Sequence, residues 1–378
     1  MKLNSYFDNA ATSFPKPEAV GTETLRYLND LGGPYGRSFY GRALEVSRTV
    51  ESCRDLLSER IGAGKPENIV FTANATQAIN TVLRGLDLEG GEVWISALEH
   101  NAVTRPLKYL EKTNNIEIKY LPSLTGGAVD TEALGRTDLS AASLIIICHE
   151  SNVTGLIQPV AEIKKAAENV PLLLDAAQSA GGTVIKADEW NIDYLAFTGH
   201  KSLLGPTGTG GLYMKSSDAL SPLINGGTGS KSDSWETPAF LPDRFEAGTP
   251  NIAGIFGLYG ALKNTPESRH SKKTFLSLLN EISSIAGMHI HAAPAENTQG
   301  EVFSITADFA SPSDLGMALY EDFGIETRIG LHCAPLAHNT INTFPEGTVR
   351  FAPSVYHDDS DLYRLLDAII KSAAKFKD

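Results

Sequence analysis

Cysteine is scarce in this chain: Cys53, Cys148 and Cys333 are the whole supply in 378 residues. An odd number of widely separated thiols excludes a disulfide framework and fits a reducing, cytoplasmic compartment. Long apolar runs are missing too. Stretches such as LIII (144–147) are far below the length needed to cross a bilayer. The opening MKLNSYFDNAATSFPKP has no apolar core of the kind a secretory signal needs, so none is expected. Basic residues are outnumbered 45 to 32 by acidic ones, for a net charge of −13. Such a surface repels nucleic-acid phosphates and anionic lipid, and no local Lys/Arg cluster reverses that, so neither nucleic acid nor membrane is an expected partner. Internal repeats and low-complexity tracts are absent.

What is present reads as an α/β protein. Between residues 66 and 215 short apolar segments alternate with amphipathic ones. The strand candidates are NIVFT (68–72), EVWISAL (92–98), EIKYLP (117–122), SLIIICH (143–149), PLLLDAA (171–177), DYLAFTG (193–199) and GGLYM (210–214). Helices are expected over 76–86, 102–113 and 160–169, with Pro106 in the first turn of the second. Several strands have few polar positions, as strands covered on both faces do. The alternation predicts a mostly parallel seven-stranded sheet flanked by helices. Two further helices are expected at 17–31 and 43–61 and another at 252–264, after a loop-rich stretch (226–251) suited to a lid or a subunit contact. A smaller unit follows, with helices at 270–285, 313–323 and 359–376 and strands at 302–309, 325–329 and 347–352. The expected division is a large domain of 15–262 and a small α/β domain of 1–14 with 263–378.

Ligands of open α/β sheets bind at the carboxyl ends of strands. Asp175 closes PLLLD; Thr198, His200 and Lys201 follow DYLAF; His149 and Asn152 follow SLIIIC; His100 follows WISAL; Asn74, Ala75 and Thr76 mark a strand-to-helix passage. Lys201, in FTGHKSLLGPTGTGGL, is either a surface lysine on an ordinary turn or a desolvated amine able to form a Schiff base. The second reading implies pyridoxal 5′-phosphate (PLP) or a carbonyl substrate. For PLP, Asp175 offers an anion for the ring nitrogen, the Asn74–Thr76 helix start a phosphate site, and His100 a stacking group. Cys333, in RIGLHCAPLAHN (328–339), remains open at this level between a metal ligand with His332 and His338, a nucleophile and an inert thiol. Adjacent ligands in extended chain point apart, and no zinc-type cysteine pair occurs elsewhere, so no metal is expected.

The fragments YFDNAAT (6–12), NATQAIN (74–80), EHNAV (99–103), HESNVTG (149–155), LLLDAAQSAGG (172–182), DYLAFTGHKSLLGPTGTGGLY (193–213), RFEAGTPN (244–251) and RIGLHCAP (328–335) together resemble the class V aminotransferase family of PLP enzymes. Within that family they are most similar to the cysteine desulfurase and selenocysteine lyase branch. The resemblance implies the large-plus-small-domain PLP fold type I and a homodimer. It implies that Lys201 carries the cofactor, Asp175 pairs with the pyridine nitrogen, Gln178 approaches the phenolic oxygen and His100 stacks on the ring. Ala75, Thr76, Thr198 and His200 would bind phosphate, and Thr249 would be lent to the neighbouring subunit's cofactor. Asn152 and Arg350 would hold the substrate carboxylate, and Arg328 would also bind substrate. Cys333 would take sulfur from L-cysteine as a persulfide, its thiolate favoured by Arg328 or a protonated His332, and could hand it to an acceptor protein. The alternatives are selenocysteine lyase, cysteine sulfinate or cystine cleavage, aminotransferase or epimerase activity, and a scaffold without catalysis. Two departures stand out: no arginine precedes the NATQ turn, and GGTGSKSDSW (226–235) differs from the family's glycine-rich loop.

Overall fold

The computed structural model describes residues 5–36 and 38–377; residues 1–4 and 378 of the expected small domain and Arg37 lie outside the described residues. Among the described residues eleven strands and eleven α-helices follow in chain order: α1 (Glu18–Leu25), α2 (Gly41–Ile61), β1 (Ile69–Thr72), α3 (Ala75–Gly85), β2 (Glu92–Ile95), α4 (Asn101–Thr113), β3 (Glu117–Tyr120), α5 (Thr131–Leu134), β4 (Ala142–Cys148), α6 (Val160–Ala166), β5 (Leu172–Asp175), β6 (Tyr194–Thr198), β7 (Gly210–Met214), α7 (Ile252–Lys263), α8 (Lys272–Ser283), β8 (Met288–His291), β9 (Phe303–Ala307), α9 (Pro312–Phe323), β10 (Arg328–Gly330), α10 (Pro335–Thr340), β11 (Thr348–Phe351) and α11 (Asp359–Lys375).

β1 to β7 form one sheet in the order β1-β7-β6-β5-β4-β2-β3. β7 runs antiparallel to both its neighbours, and the other pairings are parallel. The carboxyl ends of β1, β2, β4, β5 and β6 therefore share one edge. The apolar run of β4 explains why it lies inside the sheet, between β5 and β2. Ile145 and Ile147 pack in a core with α2, α6 and α7, whereas Leu144 and Ile146 pack on the other face with α3 and α4. Alternate residues point to opposite faces, and both faces are dry.

A second sheet, ordered β10-β11-β9-β8, is antiparallel and covered by α8, α9 and α11. The amino-terminal segment is built into it: the Phe7 amide donates to the Glu326 carbonyl at 2.8 Å, and the Phe7 carbonyl accepts from Ala352 at 2.7 Å.

Three local expectations differ. α4 begins at Asn101, so Pro106 occupies the second turn; buried Val103, Leu107 and Leu110 on the same helix hold it there despite the lost backbone bond. The 17–31 helix is an α-helix only to Leu25 and then a π turn over Arg26–Leu31 that ends on Gly32 at φ +54°. β8, α5 and α10 had no counterpart in the sequence reading. Among the described residues no helix is long and apolar enough to cross a membrane.

Candidate active site

The shared strand edge forms a cleft lined by Asn74, Ala75, Thr76, His100, Asp175, Gln178, Thr198, His200 and Lys201, together with Cys148 and Asn152. Lys201 is part-buried on the turn after β6. That turn closes tightly: a side chain at Gly199 would place its Cβ 2.1 Å from Thr209 Oγ1. Burial holds the Lys201 amine down to about 8, against the pull of Asp175. Asp175, buried at the end of β5, has its carboxyl raised by burial, while the Ala177 amide at 3.0 Å and Lys201 oppose the shift. A cationic group brought to this carboxyl would therefore ionise it and be held by it.

At one end of the cleft, α3 starts on Asn74, whose side chain accepts from the Gln77 amide at 2.9 Å. The amides of Ala75 and Thr76 have no carbonyl one turn earlier to bond, and the helix dipole adds positive potential there. Gly210 lets this turn lie against β7, since a Cβ at that position would fall 2.8 Å from the Asn74 Cα. Buried Thr198 and part-buried His200 complete this end. His200 Nδ1 has no partner, and burial holds its ring down to about 4. Its carbonyl is gripped by the Ser13 amide at 2.9 Å and by Lys16 Nζ at 3.3 Å.

His100 is the N-cap of α4, its Nδ1 accepting from the Ala102 amide at 3.0 Å. This places any ring proton on Nε2. Burial first, then Lys201, lowers it to about 4, so the ring is neutral at physiological pH and suited to stacking. Gln178 donates to the Ala10 carbonyl at 3.0 Å and keeps a second amide hydrogen.

Cys333 lies at the foot of β10, solvent-exposed, in a bend where His332 and Cys333 both take left-handed backbone, φ +48° and +57°. Two consecutive non-glycine residues there are strained and need external ties. The Asn101 amide donates to the Cys333 carbonyl at 2.8 Å, and Asn152 Nδ2 donates to the His332 carbonyl at 2.8 Å. Asn152 Oδ1 is buried without a partner. The thiol segment is thus anchored to residues of the cleft wall. His332 does not play the expected cationic part. It is buried, its Nε2 pairs with Thr348 Oγ1 at 2.9 Å, and burial drives it down to about 2. His332 and His338 rings pack 5.4 Å apart, and the described residues contain no cluster able to hold a metal.

Arg350 and Arg328 face each other across β11 and β10. Like charges directly opposed are unfavourable. Asp8 offsets this by accepting from Arg350 at 2.6 Å, while another Arg350 N–H reaches the Asn152 carbonyl at 3.1 Å and Nε is left unpartnered. Thr249 is exposed and lines a different recess, beside Phe71 and Glu246, so this chain does not bring it to its own cleft. His149 also turns away, bonding Ser179 at 2.9 Å. Sequence reasoning missed three contributors. Asp8 and Glu99 lay inside quoted fragments, YFDNAAT and EHNAV, but as acidic residues with no visible partner. Asn101 acts only through its backbone.

The donors fit PLP: an anion site with free amides and an orphaned His200 nitrogen at one end, a carboxyl raised by burial at the other, and a depressed lysine between them. Fold and cleft together define a PLP enzyme of fold type I. The chain belongs to the family described as aminotransferase class-V, whose model matches residues 5–365. It is 32% identical to a probable cysteine desulfurase of Methanothermobacter thermautotrophicus, over 98% of this chain and 94% of the relative. It is 28% identical to the cysteine desulfurase IscS of Dictyoglomus turgidum, over 100% of this chain and 96% of the relative. Among solved structures it resembles the apo cysteine desulfurase of Thermococcus onnurineus (TM-score 0.90, 27% identity, 98% and 94% of the two chains). It also resembles the Escherichia coli cysteine desulfurase CsdA (TM-score 0.87, 26% identity, 98% and 95%).

Proposed function

We propose that the chain is a PLP-dependent cysteine desulfurase, converting L-cysteine to L-alanine and taking the sulfur on Cys333 as a persulfide. The observation that carries this reading is the backbone of the exposed Cys333 segment, tied by hydrogen bonds to Asn152 of the cleft wall and to Asn101, the residue after His100. Relatives named cysteine desulfurase support the choice of substrate.

PLP held through Lys201 supplies an electron sink for charge developing at the substrate Cα. Asp175 would pair with its ring nitrogen, and the α3 amides with Thr198 and His200 would hold its phosphate. Arg350 offers the substrate carboxylate a planar fork already oriented by Asp8. The Lys201 amine would move the proton at the substrate Cα. The Cys333 thiolate attacks the substrate sulfur: an S–S bond forms as the Cβ–S bond breaks, and the electron pair and a proton go to Cβ. The products are alanine and Cys333–S–SH, so no outside oxidant or reductant enters this half-reaction. His332, buried and neutral, supplies no cation to this step.

Thr249, exposed and outside its own cleft, suits donation to a second copy, which supports a homodimer; an accepting thiol, on a protein or a small molecule, then clears the persulfide. The test is alanine and sulfide production from L-cysteine with a thiol reductant, beside L-selenocysteine. Sulfide release by Cys333→Ala at the parental rate would sink the persulfide route.

A further inference from the structure

Glu99 stands one residue before His100, and its side chain is fully buried. Oε1 accepts from the Cys148 amide at 2.6 Å and from the Ser96 hydroxyl at 2.5 Å, and Oε2 has no partner. Both contacts are to neutral groups. Cys148 is the ladder neighbour of Asp175, so the two carboxyls flank the same pair of strand ends. A carboxylate buried on neutral donors is costly, and a second one next to Asp175 is costlier.

We propose that Glu99 works as a neutral carboxylic acid, a positioning residue that ties the His100 turn to the end of β4 and leaves Asp175 to carry the negative charge of the pair. Burial pushes its carboxyl up to about 8; the Ser96 hydroxyl opposes that shift and Asp175 adds to it. The other groups around this point agree: the Cys148 thiol is driven up by burial, His100 is neutral, and the Lys201 amine is coupled to Asp175. If Glu99 were ionised, the two interacting acids would share their charge, and Asp175 would take up a proton. The ring nitrogen would then lose its anionic partner. In the neutral form Glu99 still accepts from Cys148 and Ser96, so the turn that presents His100 stays fixed. The inference rests on the cofactor reading above.

The experiment compares holoenzyme of the parent with Glu99→Gln, Glu99→Asp and Glu99→Ala. Glutamine keeps an acceptor oxygen at the same reach and is neutral at every pH. Expected is a PLP dissociation constant within about threefold of the parent for Glu99→Gln, with the visible maximum unchanged. Glu99→Ala and Glu99→Asp, which lose the reach, weaken PLP by about tenfold or more and shift that maximum. In the infrared spectrum at neutral pH the parent holoenzyme shows a protonated-carboxyl stretch that disappears in Glu99→Gln. Glu99→Gln as depleted of PLP as Glu99→Ala, Glu99→Ala indistinguishable from the parent, or no such stretch overturns the inference. A parent protein that takes up no PLP contradicts the cofactor reading instead, which separates the two failures.

Discussion

The backbone amide of Asn101 donates to the carbonyl of Cys333 across 2.8 Å, so the residue after His100 is bonded directly to the candidate nucleophile. Helix α4 therefore has two duties. Its cap, His100, faces the cofactor cleft, and its first amide fixes the segment that carries the thiol. The left-handed backbone at His332 and Cys333 is stable because this bond and the Asn152 bond hold it.

Asn152→Ala removes the side-chain half of that anchor. A buried carbonyl losing its donor costs roughly 1–3 kcal/mol. The expected outcome is a fall of about tenfold in the rate at which Cys333 becomes persulfidated, with PLP content unchanged. Rapid quenching followed by thiol labelling reads the first, and visible absorbance the second.

Asp175→Asn takes away the anion proposed to pair with the cofactor's ring nitrogen. A charge-assisted bond of about 1.5–3 kcal/mol is lost, so activity should fall on the order of a hundredfold and PLP should leave faster on dilution. Dialysis against buffer without cofactor measures the second effect.

The depressed amine of Lys201 sets the pH dependence of cofactor loading. Only the uncharged amine is a nucleophile, and its fraction grows as pH rises towards about 8. The rate of PLP uptake by apoprotein should rise about tenfold per pH unit well below that value and level off above it. Stopped-flow absorbance from pH 6 upward checks the profile.

Glu99→Gln also makes a stability statement. The folded carboxyl is raised from its ordinary 4.5 to about 8, so its contribution is intact below the unfolded value. It declines as pH rises, because the unfolded chain releases the proton first, and it is gone above about 8. Glutamine does not titrate. The variant should therefore gain on the parent between about pH 4.5 and 8, by on the order of a few kcal/mol, and hold a constant margin above. Thermal unfolding of the two apoproteins at pH 4, 6 and 8.5 tests the trend.

Much of this was legible from the sequence because the chemistry lies at strand ends. PLLLD and DYLAFTGHK each combine an apolar run with the polar residue that terminates it, so Asp175 and Lys201 could be placed before any coordinates. The smaller sheet was harder. β8, MHIH, alternates polar and apolar residues over four positions, too short to separate from a turn. Pairings across the chain were not legible at all. Asp8 and Arg350 are 342 residues apart, and nothing local in either segment specifies their ion pair. His332 misled for a related reason: a histidine beside a cysteine suggests an activating cation, but burial first, then Arg350 and His338, holds its ring neutral, and only the folded chain supplies these.

The most direct test of the account is mass spectrometry of the holoenzyme after one equivalent of L-cysteine, without reductant and with thiols trapped. The account predicts one added sulfur atom on the peptide containing Cys333, matched by one alanine, and none on Cys53 or Cys148. Alanine formed while Cys333 remains an unmodified thiol would contradict it.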